Sequence, residues 1–312
     1  MEQRSLRWKH IMKVAVICTI LVLLLLPACA PQPEPLPAPL PTAEMVVAPR
    51  PLYFPAVIIG SEPVRGYARA YGALLPGEAT RLGIEWYYDY GLRWPPTLLD
   101  NGAEYVPFFW CDQYPSLAWP TRHDYFAALN KLPDNYSGPL LFLNEPDLRG
   151  GDIDGLQCDR TPRQAAYIYK AVRAQCPRCR IIGPAASHED YLAGWPWLKA
   201  FYAEITRLHL PCPDVAAIHD YTDQPPAAIV DSLFAALENY ECAPQTAWVT
   251  EFSTCSADRA RRMMAYYEQD SRIERYAWFT AVGYPAAPCY NLLDKDRNLS
   301  AAGEVFAPAA YP

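Results

Sequence analysis

What this chain has little of narrows its possibilities first. Its 312 residues include only five histidines, none in a His-x-x-x-His or similar ligand spacing, so metal catalysis lacks its usual donors. No Gly-Lys-Ser/Thr loop is present to cradle phosphate, no Gly-x-Ser-x-Gly elbow to raise a serine, and no Gly-x-Gly-x-x-Gly turn to seat a dinucleotide. Those absences exclude the plain NTPase, esterase and dehydrogenase readings, and no cofactor or metal is expected. Positive charge is also short. The 27 Lys and Arg are outnumbered by 34 Asp and Glu, giving a net charge of -7 with no basic stripe to suit a nucleic-acid partner.

The apolar run 14–26 is shorter than the roughly 18–20 residues that span a bilayer, and Arg4, Arg7, Lys9 and Lys13 precede it. Residues 1–29 therefore read as a signal peptide. Leu26-Pro27-Ala28-Cys29 resembles a bacterial lipobox, in which Cys29 would be lipidated and become the mature N-terminus; ordinary cleavage with an incidental cysteine is the alternative. Residues 30–52 carry proline at almost every second position from Pro31 to Pro41, a pattern that denies hydrogen-bonded ladders and favours a stiff extended spacer. The expected order is a lipid anchor, a Pro-rich linker and one domain over 53–312. That makes an exported monomer, a cell-surface or periplasmic lipoprotein held on a bacterial membrane.

The domain is rich where the leader is not. The chain is 51% hydrophobic and 20% charged, enough for one sizeable core. Short apolar runs at 84–90, 105–110, 139–144, 180–184, 215–221, 246–252 and 275–279 predict strands covered on both faces, with a less defined one in 56–68. Helical patterns at 121–132, 161–175, 192–208, 226–239 and 256–270 fall between them, and Thr161-Pro162 is a strong helix start. This alternation predicts an α/β fold, a (β/α)8 TIM barrel, with a doubly wound open sheet as the competitor.

Eight cysteines remain once Cys18 and Cys29 are assigned to the leader, an even number that suits disulfides in an exported chain. In a barrel, Cys111, Cys158, Cys255 and Cys289 follow strands and belong to the C-terminal rim. Cys176, Cys179, Cys212 and Cys242 precede strands and belong to the other. Pairing across the barrel's height exceeds disulfide reach. The expected bonds are Cys111–Cys158, Cys255–Cys289 and one joining two of the lower four across neighbouring units. Cys176-Pro177-Arg178-Cys179 could otherwise be a redox or zinc motif.

Two strands end on glutamate: 140–145 at Glu145 and 247–251 at Glu251. Burying a carboxylate costs several kcal/mol unless it is paired or used. Two such carboxylates on one rim are the equipment for cleaving a glycosidic bond, and retaining hydrolysis needs them about 5–5.5 Å apart. Either could instead be a solvated loop charge. Asn144, beside Glu145, is placed to donate to a sugar hydroxyl. Tyr221 is placed to hydrogen-bond Glu251, and His219 to meet substrate or a carboxylate. Trp278 is expected as an aromatic floor under a sugar, with Trp86, Tyr88 and Trp110 lining other subsites; strand aromatics are also ordinary core. Asp112, Asp147, His188 and Glu189 follow strands as further candidates.

In order along the chain, Trp86-Tyr87-Tyr88-Asp89-Tyr90, Tyr105-Val106-Pro107-Phe108-Phe109-Trp110, Phe142–Asp147 (with Asn144-Glu145-Pro146), Asp214–Tyr221, Trp248-Val249-Thr250-Glu251-Phe252 and Arg275–Phe279 form a set. The set resembles the Asl1-like glycosyl hydrolase catalytic domain, glycoside hydrolase family 128, over roughly 64–307. That resemblance implies a retaining (β/α)8 enzyme with Glu145 as acid/base, Glu251 as nucleophile and a β-glucan substrate, commonly β-1,3-linked. The sequence departs from the family at Asp89-Tyr90, where Asn-Trp is usual, and at Asp220, where Trp is usual; both departures are expected on the substrate side. The alternative function is a carbohydrate-binding or cell-envelope lipoprotein that keeps the barrel without turnover.

Overall fold

A computed structural model describes residues 63–69, 72–112, 124–148 and 157–308. The expected signal peptide, Cys29 and the Pro-rich linker lie outside the described residues. Among the described residues are nine strands: β1 (Val64–Arg69), β2 (Trp86–Asp89), β3 (Glu104–Tyr105), β4 (Phe108–Phe109), β5 (Pro139–Phe142), β6 (Arg180–Ala186), β7 (Val215–Asp220), β8 (Ala247–Phe252) and β9 (Ile273–Trp278). All pair in parallel in one sheet, in the order β3-β2-β1-β9-β8-β7-β6-β5-β4.

The two ends of that order are one piece of chain. Only Val106-Pro107 separates β3 from β4; Val106 N donates to Tyr87 O and Leu141 N donates to Pro107 O. The single run expected at 105–110 is therefore split at a proline, which has no N–H to give. With β3 against β2 and β4 against β5, the sheet curls back on itself into a barrel-like α/β fold.

Helices follow most strands. α1 (Glu78–Arg81), α2 (Tyr125–Leu129), α3 (Pro162–Gln175), α4 (His188–Leu192), α5 (Pro196–Arg207), α6 (Pro226–Leu237), α7 (Ala257–Gln269) and α8 (Ala301–Phe306) are described. Thr161 caps α3 in a full capping box with Gln164, an arrangement worth about 1 kcal/mol. The helix expected over 192–208 starts only at Pro196, as α5, because Gly194 and Trp195 take left-handed backbone after the short α4. The short helices α1 and α8 carry too few turns for periodicity to reveal.

The inside is filled. Tyr88, Phe108, Leu143, His219 and Thr250 are among the residues around a central void of only ≈ 10 Å³, about one water. At the N-terminal end of the strands, the Arg275 guanidinium lies 4.4 Å over the Trp248 ring and 5.7 Å over Trp86, and pairs with Glu104 at 2.7 Å. The sulfurs pair as Cys111–Cys158, Cys255–Cys289, Cys212–Cys242 and Cys176–Cys179. The first two bridge loops of the C-terminal rim, and the third joins neighbouring units at the other. The fourth closes a tight turn at the end of α3, where the helix's negative pole opposes a reactive thiolate.

Gly183 shows how tightly the strands meet near the rim. Its φ is +114°, and a Cβ there would sit 2.7 Å from Phe142 O on β5. The same stretch of β6 carries a register shift between Ile182 and Ala185, after which Ala185 O accepts from Glu145 N at 2.9 Å. Gly183→Ala should therefore destabilise the protein by about 2–4 kcal/mol. Urea unfolding followed by circular dichroism checks this; an unchanged midpoint would contradict the close approach.

Candidate active site

Glu145 and Glu251 stand at matching ends of β5 and β8. Beyond Phe142 the chain turns through Leu143 and Glu145, both at positive φ (56° and 40°). Such backbone costs about 1–3 kcal/mol per residue and survives where neighbours hold it. Here the Ala185 carbonyl does the holding through Glu145 N. On the other side, β7 and β8 lose register between Ile218 and His219, which sets His219 directly opposite Glu251. Register shifts of this kind re-aim side chains.

One imidazole lies between the two carboxylates. His219 Nδ1 is 2.9 Å from Glu145 Oε1 and 3.6 Å from Glu251 Oε2. An oxygen of Glu145, an oxygen of Glu251 and the His219 nitrogen all fall within 4.8 Å of one another. All three residues are nearly closed to solvent.

Their surroundings differ sharply. Glu251 is solvated by phenols: Tyr90 OH donates to Oε1 at 2.6 Å, Tyr88 OH to Oε1 at 3.1 Å and Tyr221 OH to Oε2 at 2.6 Å. Burial, and then the Glu251 charge, push all three phenols well above their ordinary range, so they remain donors. Among the described contacts Glu145 has only His219 on its side chain. Burial raises the Glu145 carboxyl, and the Glu251 charge raises it further, against the lowering pull of the His219 hydrogen bond and charge. His219 is itself raised: burial favours the neutral ring, but Glu251 and Glu145 outweigh it. One glutamate is surrounded by hydroxyl donors, and the other has its carboxyl raised by burial.

The trio has the proximity of a metal site, yet the oxygens of Glu251 already accept three hydroxyls and Glu145 is spent on the imidazole. Cys111, Asp112 and Cys158 also lie close together, but the two sulfurs are bonded to each other.

The other expected site residues divide. Tyr221 meets Glu251 and His219 meets both carboxylates. Asn144 is beside Glu145, but its Nδ2 donates to Gln157 Oε1, so the donor expected for a sugar is occupied; its Oδ1 is buried without a partner, as is Ser253 Oγ. Asp112 pairs with Arg160 at 2.8 Å, Asp147 accepts from Ser187 N at 2.8 Å, and His188 lies edge-on to Tyr221 with Glu189 at 3.2 Å.

The tryptophans do not form the expected platforms. Trp278 is fully buried, packs on Phe252 and Phe306, and donates to Tyr290 O at 2.6 Å. Trp86 is fully buried at the opposite end of the barrel, with its indole donating to Val64 O. Trp110 is buried against Tyr125. The aromatic on the site side is Phe279, one residue past Trp278. It is half-buried and edge-on to Tyr90 and Tyr221. Successive strand residues face opposite ways, so a one-residue error exchanges core for site.

The departures at Asp89 and Asp220 also need correction. Asp220 is fully buried and accepts from Tyr267 OH at 2.7 Å and from Thr222; Asp89 is buried and accepts from Tyr105 OH at 3.1 Å. Neither stands on the substrate side. Tyr90 does, as a direct donor to Glu251. For Tyr90 the sequence signal was its departure from the family pattern; the roles of Phe279 and Gln157 had none.

Comparison with known proteins follows the same lines. The family model described as "Glycosyl hydrolase catalytic core" matches residues 72–306. No curated protein matches the sequence. Among solved structures, a GH128 subgroup I endo-β-1,3-glucanase from Amycolatopsis mediterranei, in complex with laminaritriose, has a TM-score of 0.60 at 20% identity, covering 79% of this chain and 98% of that one. A subgroup II endo-β-1,3-glucanase from Pseudomonas viridiflava scores 0.58 at 23% identity, covering 80% and 100%. A subgroup VII oligosaccharide-binding protein from Cryptococcus neoformans scores 0.58 at 19% identity, covering 78% and 92%. At these identities the likeness is one of fold.

The pull of His219 on Glu145 has a measurable consequence. If Glu145 must be protonated to act, activity falls as pH rises through its elevated pKa. His219→Asn removes a hydrogen bond and a charge that both lower that pKa. The basic limb of the kcat/KM profile should then move upward by about 1 pH unit. A limb that stays in place or moves down would show that His219 does not act on Glu145.

Proposed function

Because this chain belongs to the glycosyl hydrolase catalytic core family, we propose that it is a retaining glycosidase on a (β/α)8 barrel that cleaves a β-glucan, β-1,3-linked in the first instance. The observation that carries this is the pair of carboxylates with oxygens within 4.8 Å, one wrapped by three phenols and one holding a raised pKa. That spacing suits the retaining geometry and is shorter than the roughly 6.5–9.5 Å an inverting pair keeps for its water. The β-1,3 linkage is carried over from the two glucanases of the same fold.

The chemistry follows from the asymmetry. Glu251 attacks the anomeric carbon as the bond to the leaving oxygen breaks, and Glu145 gives its proton to that oxygen. A glycosyl ester on Glu251 results. Glu145, now a carboxylate, takes a proton from water, whose oxygen attacks the same carbon and frees Glu251. The phenols that donate to Glu251 orient it for the first step and receive it as a leaving group in the second. Asn144 Oδ1 and Ser253 Oγ, both buried without partners, are further groups for sugar hydroxyls to satisfy.

The expected roles separate in kinetics. Glu251→Ala should lose at least about 10³-fold in turnover and be rescued by azide with inverted product. Glu145→Ala should keep activity on aryl glycosides with good leaving groups and lose it on glucan. Equal loss of both variants on activated substrates, with no azide rescue, would overturn the assignment. Glucan binding by the unaltered protein without release of reducing sugar would instead favour a carbohydrate-binding role, as in the oligosaccharide-binding relative.

The place of action belongs to the same proposal. The basic and apolar leader, the Leu-x-Ala-Cys at Cys29 and the proline-rich spacer support an exported lipoprotein, and four disulfides suit an oxidising compartment. Metabolic labelling with a radioactive fatty acid in a bacterial host should mark the full chain and not Cys29→Ser. Equal labelling of both would remove the anchor.

A further inference from the structure

The loop after β9 is held more firmly than a surface connection requires. It ends in a 3-10 turn, Pro288–Tyr290, and is tied at three points. Cys289 is bonded to Cys255 in the loop after β8. Trp278 donates its indole N–H to Tyr290 O at 2.6 Å. Asn291, buried, spends its whole amide on this loop: Oδ1 accepts from Tyr284 N at 2.9 Å, and Nδ2 donates to Tyr284 O at 3.2 Å and Pro288 O at 3.1 Å.

What these ties fix is a row of rings. Tyr290 lies nearly parallel to Tyr221, at 16° with centroids 6.3 Å apart, and nearly parallel to Tyr284, at 26° and 6.2 Å. Tyr221 is the same residue whose hydroxyl donates to Glu251 Oε2. Phe279 braces the row from one side, edge-on to Tyr221 and Tyr284. All four residues are half-buried, so the row that begins at the Glu251 partner Tyr221 keeps part of its surface open.

We propose that Tyr290 and Tyr284, clamped by Cys255–Cys289 and Asn291, form a sugar-stacking shelf that binds the apolar face of a pyranose next to the one held at Glu251. This rests on the glycosidase reading above and adds a subsite to it. Pyranose rings present C–H faces that pack on aromatic rings, and a phenol can also reach a sugar hydroxyl. Pre-fixing the rings means that little side-chain freedom is lost when the sugar binds. Trp278 of β9, which could have supplied such a surface, is instead buried and holds Tyr290 by its backbone carbonyl. The shelf replaces it.

Binding tests this without depending on turnover. In a Glu145→Gln background, calorimetric titration with a β-1,3-linked glucose hexamer, and in parallel a β-1,4-linked one, gives a parent affinity. Adding Tyr290→Ala should weaken the better-bound hexamer about 3- to 10-fold. Tyr290→Phe, which keeps the ring, should stay within about 2-fold of the parent. Cys255→Ser with Cys289→Ser should weaken binding in the same direction as the alanine variant. Undiminished binding by Tyr290→Ala, equal losses for the Phe and Ala variants, or binding of neither hexamer by the parent would each overturn the shelf. An inactive unaltered protein that still binds the hexamer through Tyr290 would defeat the glycosidase reading and leave the shelf standing.

Discussion

Two carboxylates forced close together in a nearly water-free rim are the constraint on which this structure turns. Like charges at that distance repel, and burial deprives each of solvent. The protein answers with unequal company. Three phenols replace water around Glu251, while His219 stands between the pair and shares a hydrogen bond with Glu145. Much of the architecture near the rim can be traced to that need. Tyr88 must come from β2, Tyr90 and Tyr221 from the residues just past β2 and β7, and the strands must lose register just where His219 and Glu145 are aimed. Strain at Leu143 and Glu145 is the local cost of that placement.

Stability is handled elsewhere, and by different means. At the N-terminal end of the strands two tryptophans pack on each other with a paired arginine lying over them, and the middle is an aromatic and aliphatic filling around a void of about one water. Such a base tolerates the charged rim because the rim's loops are stapled. Cys111–Cys158 joins the connections that carry Asp112 and Gln157, and Cys255–Cys289 joins those after Glu251 and Phe279. Disulfides limit the freedom of the loops they close, which for a binding surface lowers the ordering cost as well as stabilising the fold. Asp220 belongs to the same support: a buried carboxylate satisfied by Tyr267 and Thr222, it shapes the loop that presents Tyr221.

Much of this was legible in the chain. Short apolar runs alternating with helical patterns identify the barrel strands, because strands covered on both faces must be apolar along their whole length. Glutamates at the ends of two such runs stand out for the cost of burying them, and the strand-end heights of the cysteines anticipate which can pair. The choice of aromatic did not follow. Trp278 and Phe279 are adjacent, and the pleat sends each to its own side; Trp86 and Tyr90 flank opposite ends of β2, so only Tyr90 reaches the rim. A register shift of one residue, invisible in sequence, decides the matter.

The sequence by itself determined the repeating α/β order, the two glutamates at strand ends and the separation of upper from lower cysteines, since each depends on the residue's own chemistry and its position along a strand. Only the tertiary structure decided that His219 stands between those glutamates, that Tyr88 and Tyr90 as well as Tyr221 solvate one of them, and that Asn144 gives its amide to Gln157. Those are meetings of side chains from strands far apart in the chain. They are set by how a curled parallel sheet brings its strand ends together and by bulges whose position no local pattern records.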